Sequence, residues 1–200
     1  MVLERGDRLR PAAFALTLLG ALALAQGLWI PAKAVLAQHL IARAWDRARD
    51  GDDASAKPWP WADTSPIARL FLTSDAAPLY VLEGASGEAM AFGPAHVSSS
   101  AHPGEPDNVV IAGHRDTHFA ALRSLSPGDR LRLESHAART DYEVVAAHVV
   151  HESRTDLMER TGASELTLVT CFPFDTVRPG GPLRYVVHAR ALDTTAGRDG

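Results

Sequence analysis

From Ile67 onward, short runs in which apolar and polar residues alternate are separated by turn residues: IARLFLT, PLYVLEG, NVVIAGH, DRLRLES, TDYEVVAAHVV, LTLVT and LRYVVHARAL. Alternation with a period of two is the signature of a strand that turns one face to a core. Short strands at this spacing predict a mainly β fold, a small, mostly antiparallel, closed barrel. Helices are expected only as decoration. The Gly84 to Gly87 interruption leads into a helical turn, THFAALRSL (Thr117 to Leu125) reads as one short helix stopping before Pro127-Gly128-Asp129, and Thr155 to Arg160 as another turn.

The N-terminal third has a different pattern. Between Arg10 and Lys33 the chain carries no charge and reads PAAFALTLLGALALAQGLWIPA. At about 1.5 Å per residue this is long enough to cross roughly 30 Å of hydrocarbon as a helix. The expected organisation is a cytoplasmic head over 1–10, a transmembrane signal anchor over 11–30, an amphipathic helix over 31–50, a linker over 51–65, a β domain over 66–193 and a tail over 194–200. Arg5, Arg8 and Arg10 favour a cytoplasmic N-terminus and export of the chain beyond Ala32, although Lys33, Arg43, Arg47 and Arg49 weaken the asymmetry. Ala23-Leu24-Ala25 before Gln26 offers a signal-peptide cleavage site as the competing reading; continued apolar character through Leu28, Trp29 and Ile30 favours the uncleaved anchor. The segment after Pro31 places Leu36, Leu40, Ile41, Ala44, Trp45 and Ala48 on one helical stripe, suited to a membrane surface or to the domain. Trp59 and Trp61, within the Pro- and Asp-rich linker, are expected to dock on the domain.

Composition narrows the function. With 200 residues, 46% hydrophobic and 22% charged, the chain can build one core-bearing domain and an appendage. A net charge of -4 without basic blocks gives no general attraction to nucleic acid. A single cysteine, Cys171, cannot form an intramolecular disulfide, so its thiol is available for chemistry.

Cys171 ends the apolar run TLVTCFPF. A thiolate is a strong nucleophile, whereas a lone buried cysteine is otherwise only a small apolar residue, so its neighbours decide. His114 lies just past the NVVIA strand, where an imidazole can serve as both acid and base. On the last strand Arg184, Val186 and His188 share a face, as do Thr167, Val169 and Cys171 on the preceding one. An antiparallel return through Phe172 to Pro182 would make Cys171 and Arg184 neighbours, and a guanidinium suits an oxyanion or substrate carbonyls. Arg178 or Arg115 could share that role, and Thr170 could add a hydrogen bond to substrate. A metal site is the rival from another class, because His114 and His118 are four apart; but the Glu of HExxH is missing, there is no second cysteine, and His148 and His151 fall on opposite strand faces. No metal or cofactor is expected.

The Ala-Gly-His turn at Ala112 to His114, Thr-Leu-Val-Thr-Cys at Thr167 to Cys171 and Arg-Tyr-Val-Val at Arg184 to Val187 together resemble the sortases, membrane-anchored cysteine transpeptidases. The resemblance covers roughly Ile67 to Leu192 and implies an eight-stranded β-barrel. It implies Cys171 as nucleophile, His114 as general acid and base, and Arg184 as oxyanion or substrate-positioning residue. The extended forms GHRDTHF and TCFPFD, with PWPWADTSPIARL, are most similar to the sortases of Gram-negative bacteria. That subgroup implies an inner-membrane anchor, a periplasmic catalytic domain and an exported substrate with an LPxTG-like C-terminal sorting signal, the amine acceptor being open. An L,D-transpeptidase-like peptidoglycan enzyme ranks lower, because its nucleophile comes closely after the histidine whereas Cys171 is far from His114.

Overall fold

The computed structural model describes residues 4–51, 56–176 and 180–192. The expected tail, Asp52 to Ser55 of the linker, the first three residues of the head and Arg178 lie outside the described residues. The chain forms two compact units, residues 1–39 and 40–200.

Helix α1 spans Glu4–Arg49. In the first unit Phe14, Leu16, Leu18, Leu19, Leu24, Trp29, Val35 and Leu36 are exposed, and the Lys33 ammonium lies 5.4 Å over the Trp29 ring. Among the described residues, no helix is long and apolar enough to cross a membrane.

In the second unit the end of α1 behaves as part of a core. Ile41, Ala44, Trp45 and Ala48, spaced three and four apart, are buried. Ile41 packs with Leu82, Ala89 and Ala95, and Ala44 and Ala48 with Ala56. The Trp45 ring stacks on His136 at 4.0 Å, and the Arg69 guanidinium lies 5.5 Å from it. Part of the predicted stripe is thus a packing surface, although Leu36 stays exposed. The two linker tryptophans separate: Trp59 packs edge-on against Phe92, whereas Trp61, expected to dock, is 83% exposed.

Eight strands close the barrel: β1 Pro66–Phe71, β2 Leu79–Leu82, β3 Ala95–His96, β4 Asn108–Ala112, β5 Arg130–Ser135, β6 Arg139–His151, β7 Glu165–Cys171 and β8 Leu183–Ala191. Their order around the barrel is β1-β2-β3-β4-β7-β8-β6-β5. Most neighbours are antiparallel, as expected, but β2 with β3 and β4 with β7 are parallel. Strand β3 has no counterpart in the sequence pattern, because two residues after a proline carry no alternation. Alternate residues fill the interior, among them Ala68 and Leu70, Val109 and Ile111, Leu131 and Leu133, Leu166 and Leu168, and Val187 and Ala189. The short helix α2, Gly87–Phe92, is capped by Ser86, whose hydroxyl accepts from the Ala89 amide. Two 3-10 turns, Ala120–Ser124 and Thr155–Met158, occupy the other predicted helical positions.

Candidate active site

The order β4-β7-β8 brings the three predicted residues to one rim. β4 and β7 run in parallel register from Asn108 opposite Glu165 to Ala112 opposite Val169. The Gly113 amide continues the ladder by donating to the Val169 carbonyl at 3.1 Å. His114 and Cys171 each lie two residues beyond the Ala112–Val169 rung. On the other flank, β8 returns antiparallel and sets Arg184 directly opposite Cys171. The predicted Cys–Arg adjacency is therefore present as a backbone register, with the histidine-bearing strand on the opposite side of the cysteine strand.

Local packing shapes the turn that carries His114. The Phe119 amide donates to the His114 carbonyl at 3.0 Å, folding the chain so that the Phe119 ring lies against Gly113. A methyl group on Gly113 would meet Phe119 ring carbons at 2.8 and 2.9 Å, so glycine is required here for close approach. The Thr170 hydroxyl donates to the Gly113 carbonyl at 2.7 Å. Thr170 is buried and on the strand face opposite Cys171. Thr170, expected at the substrate, makes an internal bond here that ties the cysteine strand to the histidine turn.

His114 is exposed and the Cys171 thiol half-buried and free. His118 is held below the usual histidine range, first by burial and then by the charge of nearby His114. Arg184 is half-buried. Its Nη1 donates to the carbonyls of Gly181 (2.7 Å) and Leu183 (2.9 Å), and its Nη2 to the Glu152 carboxylate at 2.7 Å. A guanidinium has five N–H donors, so Nε–H and one Nη2–H are not engaged by these bonds. Glu152 comes directly after β6, on the flank of β8 away from Cys171.

The chain after Cys171 is tied to the turn after His114. Phe172 and Phe174 pack around Tyr185, and Arg123 lies 5.2 Å over the Phe174 ring while pairing with Asp175 at 3.1 Å. Arg115, one of the alternatives for the oxyanion role, is buried, and its Nη2 donates to the Thr176 carbonyl at 3.4 Å. That bond links the turn after His114 to the segment after Cys171. Among the described residues no group of three His, Cys, Asp or Glu side chains is placed to hold a metal ion. Glu152 and the Gly113–Phe119 contact escaped sequence reasoning, since neither has a local pattern; the glycine in Ala-Gly-His was the only available hint.

Comparison with known proteins bears on the family of the chain. The sortase domain family matches residues 74–192, more than half of the chain. Sortase D of Bacillus subtilis (strain 168) is 33% identical over 117 residues, covering 58% of this chain and 59% of that protein. Sortase A of Bacillus anthracis is 28% identical over 134 residues, covering 65% and 61%. The chain therefore spans less than two thirds of the length of either relative. Among solved structures, a Clostridium perfringens Sortase D5 transpeptidase aligns with a TM-score of 0.56 at 26% identity, covering 64% of this chain and 79% of that one. Sortase A from Corynebacterium diphtheriae aligns with a TM-score of 0.59 at 26% identity, covering 68% and 65%. With the matching domain, the eight-stranded barrel and the three residues at one rim, the chain belongs to the sortase family.

Proposed function

We propose that the chain is a cysteine transpeptidase that cleaves an LPxTG-like sorting signal near the C-terminus of an exported protein. The observation that carries this reading is the succession of His114, Cys171 and Arg184 at the ends of three neighbouring strands at one rim. The Cys171 thiol passes its proton to His114 and its sulfur attacks the carbonyl carbon before the scissile bond. Arg184, opposite Cys171 across the β7–β8 ladder, suits the developing oxyanion, and His114 donates a proton to the departing amine as the C–N bond breaks. The thioacyl-enzyme that results is resolved by an incoming amine, which loses its proton to His114 and forms a new amide. Water at the same step gives hydrolysis, the peptidase reaction. Thr170 acts here through Gly113, without touching substrate.

The reading extends to location. A charge-free N-terminal segment and exposed Phe14, Leu16, Leu18, Leu19 and Leu24 along α1 support a single-pass anchor in the inner membrane, with the barrel on the periplasmic side, as in the sortases of Gram-negative bacteria. In the decisive experiment the full chain, in detergent, is incubated with a panel of LPxTG-like peptides, and trapped intermediates are weighed by mass spectrometry. A thioacyl adduct on Cys171, absent from Cys171→Ala and insensitive to chelator, is the expected result. No adduct with any peptide refutes the proposal, and bound zinc whose removal unfolds the protein would favour the metal-site alternative.

A further inference from the structure

We infer that Asn108 is a positioning residue for the substrate groove, acting through the loop between β6 and β7; the inference rests on the transpeptidase reading above. Beside the Cys171–Arg184 rung lies a pocket lined by Val169, Val186 and Arg184 of β7 and β8 and walled also by Leu157 and Met158. Those two wall residues belong to the β6–β7 loop, which has no strand of its own over 152–164. Its first residue, Glu152, is held by Arg184 and by the Pro182 carbonyl, but the stretch that carries Leu157 and Met158 takes its position from elsewhere.

It comes from a two-residue corner at the start of β4. Asn108 is buried, and its one amide nitrogen donates to the carbonyls of Leu157 (3.2 Å) and Glu159 (3.0 Å), bracketing Met158. Its oxygen accepts from the Thr167 hydroxyl at 2.9 Å, and Thr167 shares a strand face with Val169 and Cys171. A continuous path thus runs from the nucleophile strand through Thr167 and Asn108 to the pocket wall. Asp107 extends the attachment: one carboxylate oxygen accepts from the amides of Thr161 (2.8 Å) and Gly162 (2.9 Å), as well as from the Asn108 amide. These backbone bonds hold the Asp107 carboxyl below its usual range, with Arg160 adding to the effect. The Arg160 guanidinium itself pairs with Glu105 at 3.1 Å. The loop is fastened at 157, 159, 161 and 162 to residues some fifty positions earlier, before any substrate arrives.

A fastened loop presents the pocket wall in its binding form. If the fastening is lost and the loop is correctly placed about a tenth of the time, apparent affinity falls about tenfold while the bound complex reacts as before. The test compares Asn108→Ala with wild type as full chains. Expected are a KM for the sorting peptide about tenfold higher, kcat within about twofold, and hydrogen exchange at 157–162 about tenfold faster, with exchange in β7 unchanged. Alkylation of Cys171 by iodoacetamide, which needs no groove, stays at the wild-type rate. An unchanged KM, or a fall in kcat at constant KM, overturns the inference. Should Asn108→Ala not fold, Asn108→Asp takes its place: it keeps the oxygen that accepts from Thr167 and removes only the amide donor to Leu157 and Glu159, with the same KM and exchange changes expected and an unchanged KM again overturning the inference. Absence of any adduct in wild type overturns the transpeptidase reading and the groove role with it, while the exchange data still report separately whether the fastening exists.

Discussion

Gly113→Ala adds one methyl group to the turn that carries the proposed acid-base residue. Glycine is not needed there for its backbone, because Gly113 is not among the glycines with positive φ. It is needed for space: the new carbon would lie 2.8 Å from Cδ2 and 2.9 Å from Cγ of Phe119, a ring that is completely buried. A buried ring in a close-packed interior cannot retreat freely, and overpacking of this kind costs about 1–3 kcal/mol. For a chain of this size, at about 2–4 °C per kcal/mol, the melting temperature should fall by about 2–12 °C. His114 is the next residue, and a displacement of about 1 Å in a reacting group can slow chemistry about a hundredfold. Thermal unfolding followed by circular dichroism measures the first effect, and the rate of thioacyl formation the second. The background of Phe119→Ala isolates the cause: that change alone costs about 3–5 kcal/mol, but it removes the ring, so adding Gly113→Ala should then cost less than about 0.5 kcal/mol. A melting temperature within about 1 °C of wild type, on the order of experimental scatter, or full additivity of the two substitutions would refute the reasoning.

Thr170→Val leaves the buried Gly113 carbonyl without its hydroxyl donor, so stability should drop by about 1–3 kcal/mol in urea unfolding, with Thr170→Ser retaining most of it. Trp45→Ala removes a fully buried ring from between His136 and Arg69 and should cost about 3–5 kcal/mol; a fragment beginning at Trp59, which lacks the whole contact, should melt below one beginning at Leu40. His96 and His118 both titrate below the ordinary histidine value, chiefly because of burial. The unfolded chain binds these protons more readily than the folded one, so their contribution is complete above pH ~6.5 and is lost as pH falls through the depressed folded values. Urea midpoints should therefore decline from about pH 7.5 toward about pH 5.5, and His96→Gln should flatten that slope.

Much of the barrel was legible because its strands bury one face, which writes a period of two into the chain. Strand β3 escaped because two residues, Ala95 and His96, cannot display a period. Cys171 and Arg184 could be paired from sequence because consecutive strands joined by a short connection return antiparallel. The place of His114 beside them was accessible only through resemblance, since the parallel pairing of β4 with β7 joins segments more than fifty residues apart. Thr170 illustrates a different failure: strand alternation already put it on the opposite face from Cys171, but sequence offers no sign of an acceptor such as the Gly113 carbonyl. Arg184–Glu152 and Asn108 with its loop carbonyls were invisible for the same reason. At the linker, Trp59 and Trp61 look alike in sequence, but only Trp59 finds an apolar partner.

The parallel β4–β7 ladder also bears on how such a protein can diversify. The chain leaves the histidine end of that ladder, builds β5, β6 and the pocket wall, and re-enters at its other end before reaching the cysteine. The spacing of the proposed reacting pair is set by five backbone rungs and is therefore decoupled from the length of everything inserted between them. Insertions and deletions in the intervening loops can remodel what is recognised while the chemistry stays in place, so a new specificity does not require a new reaction centre.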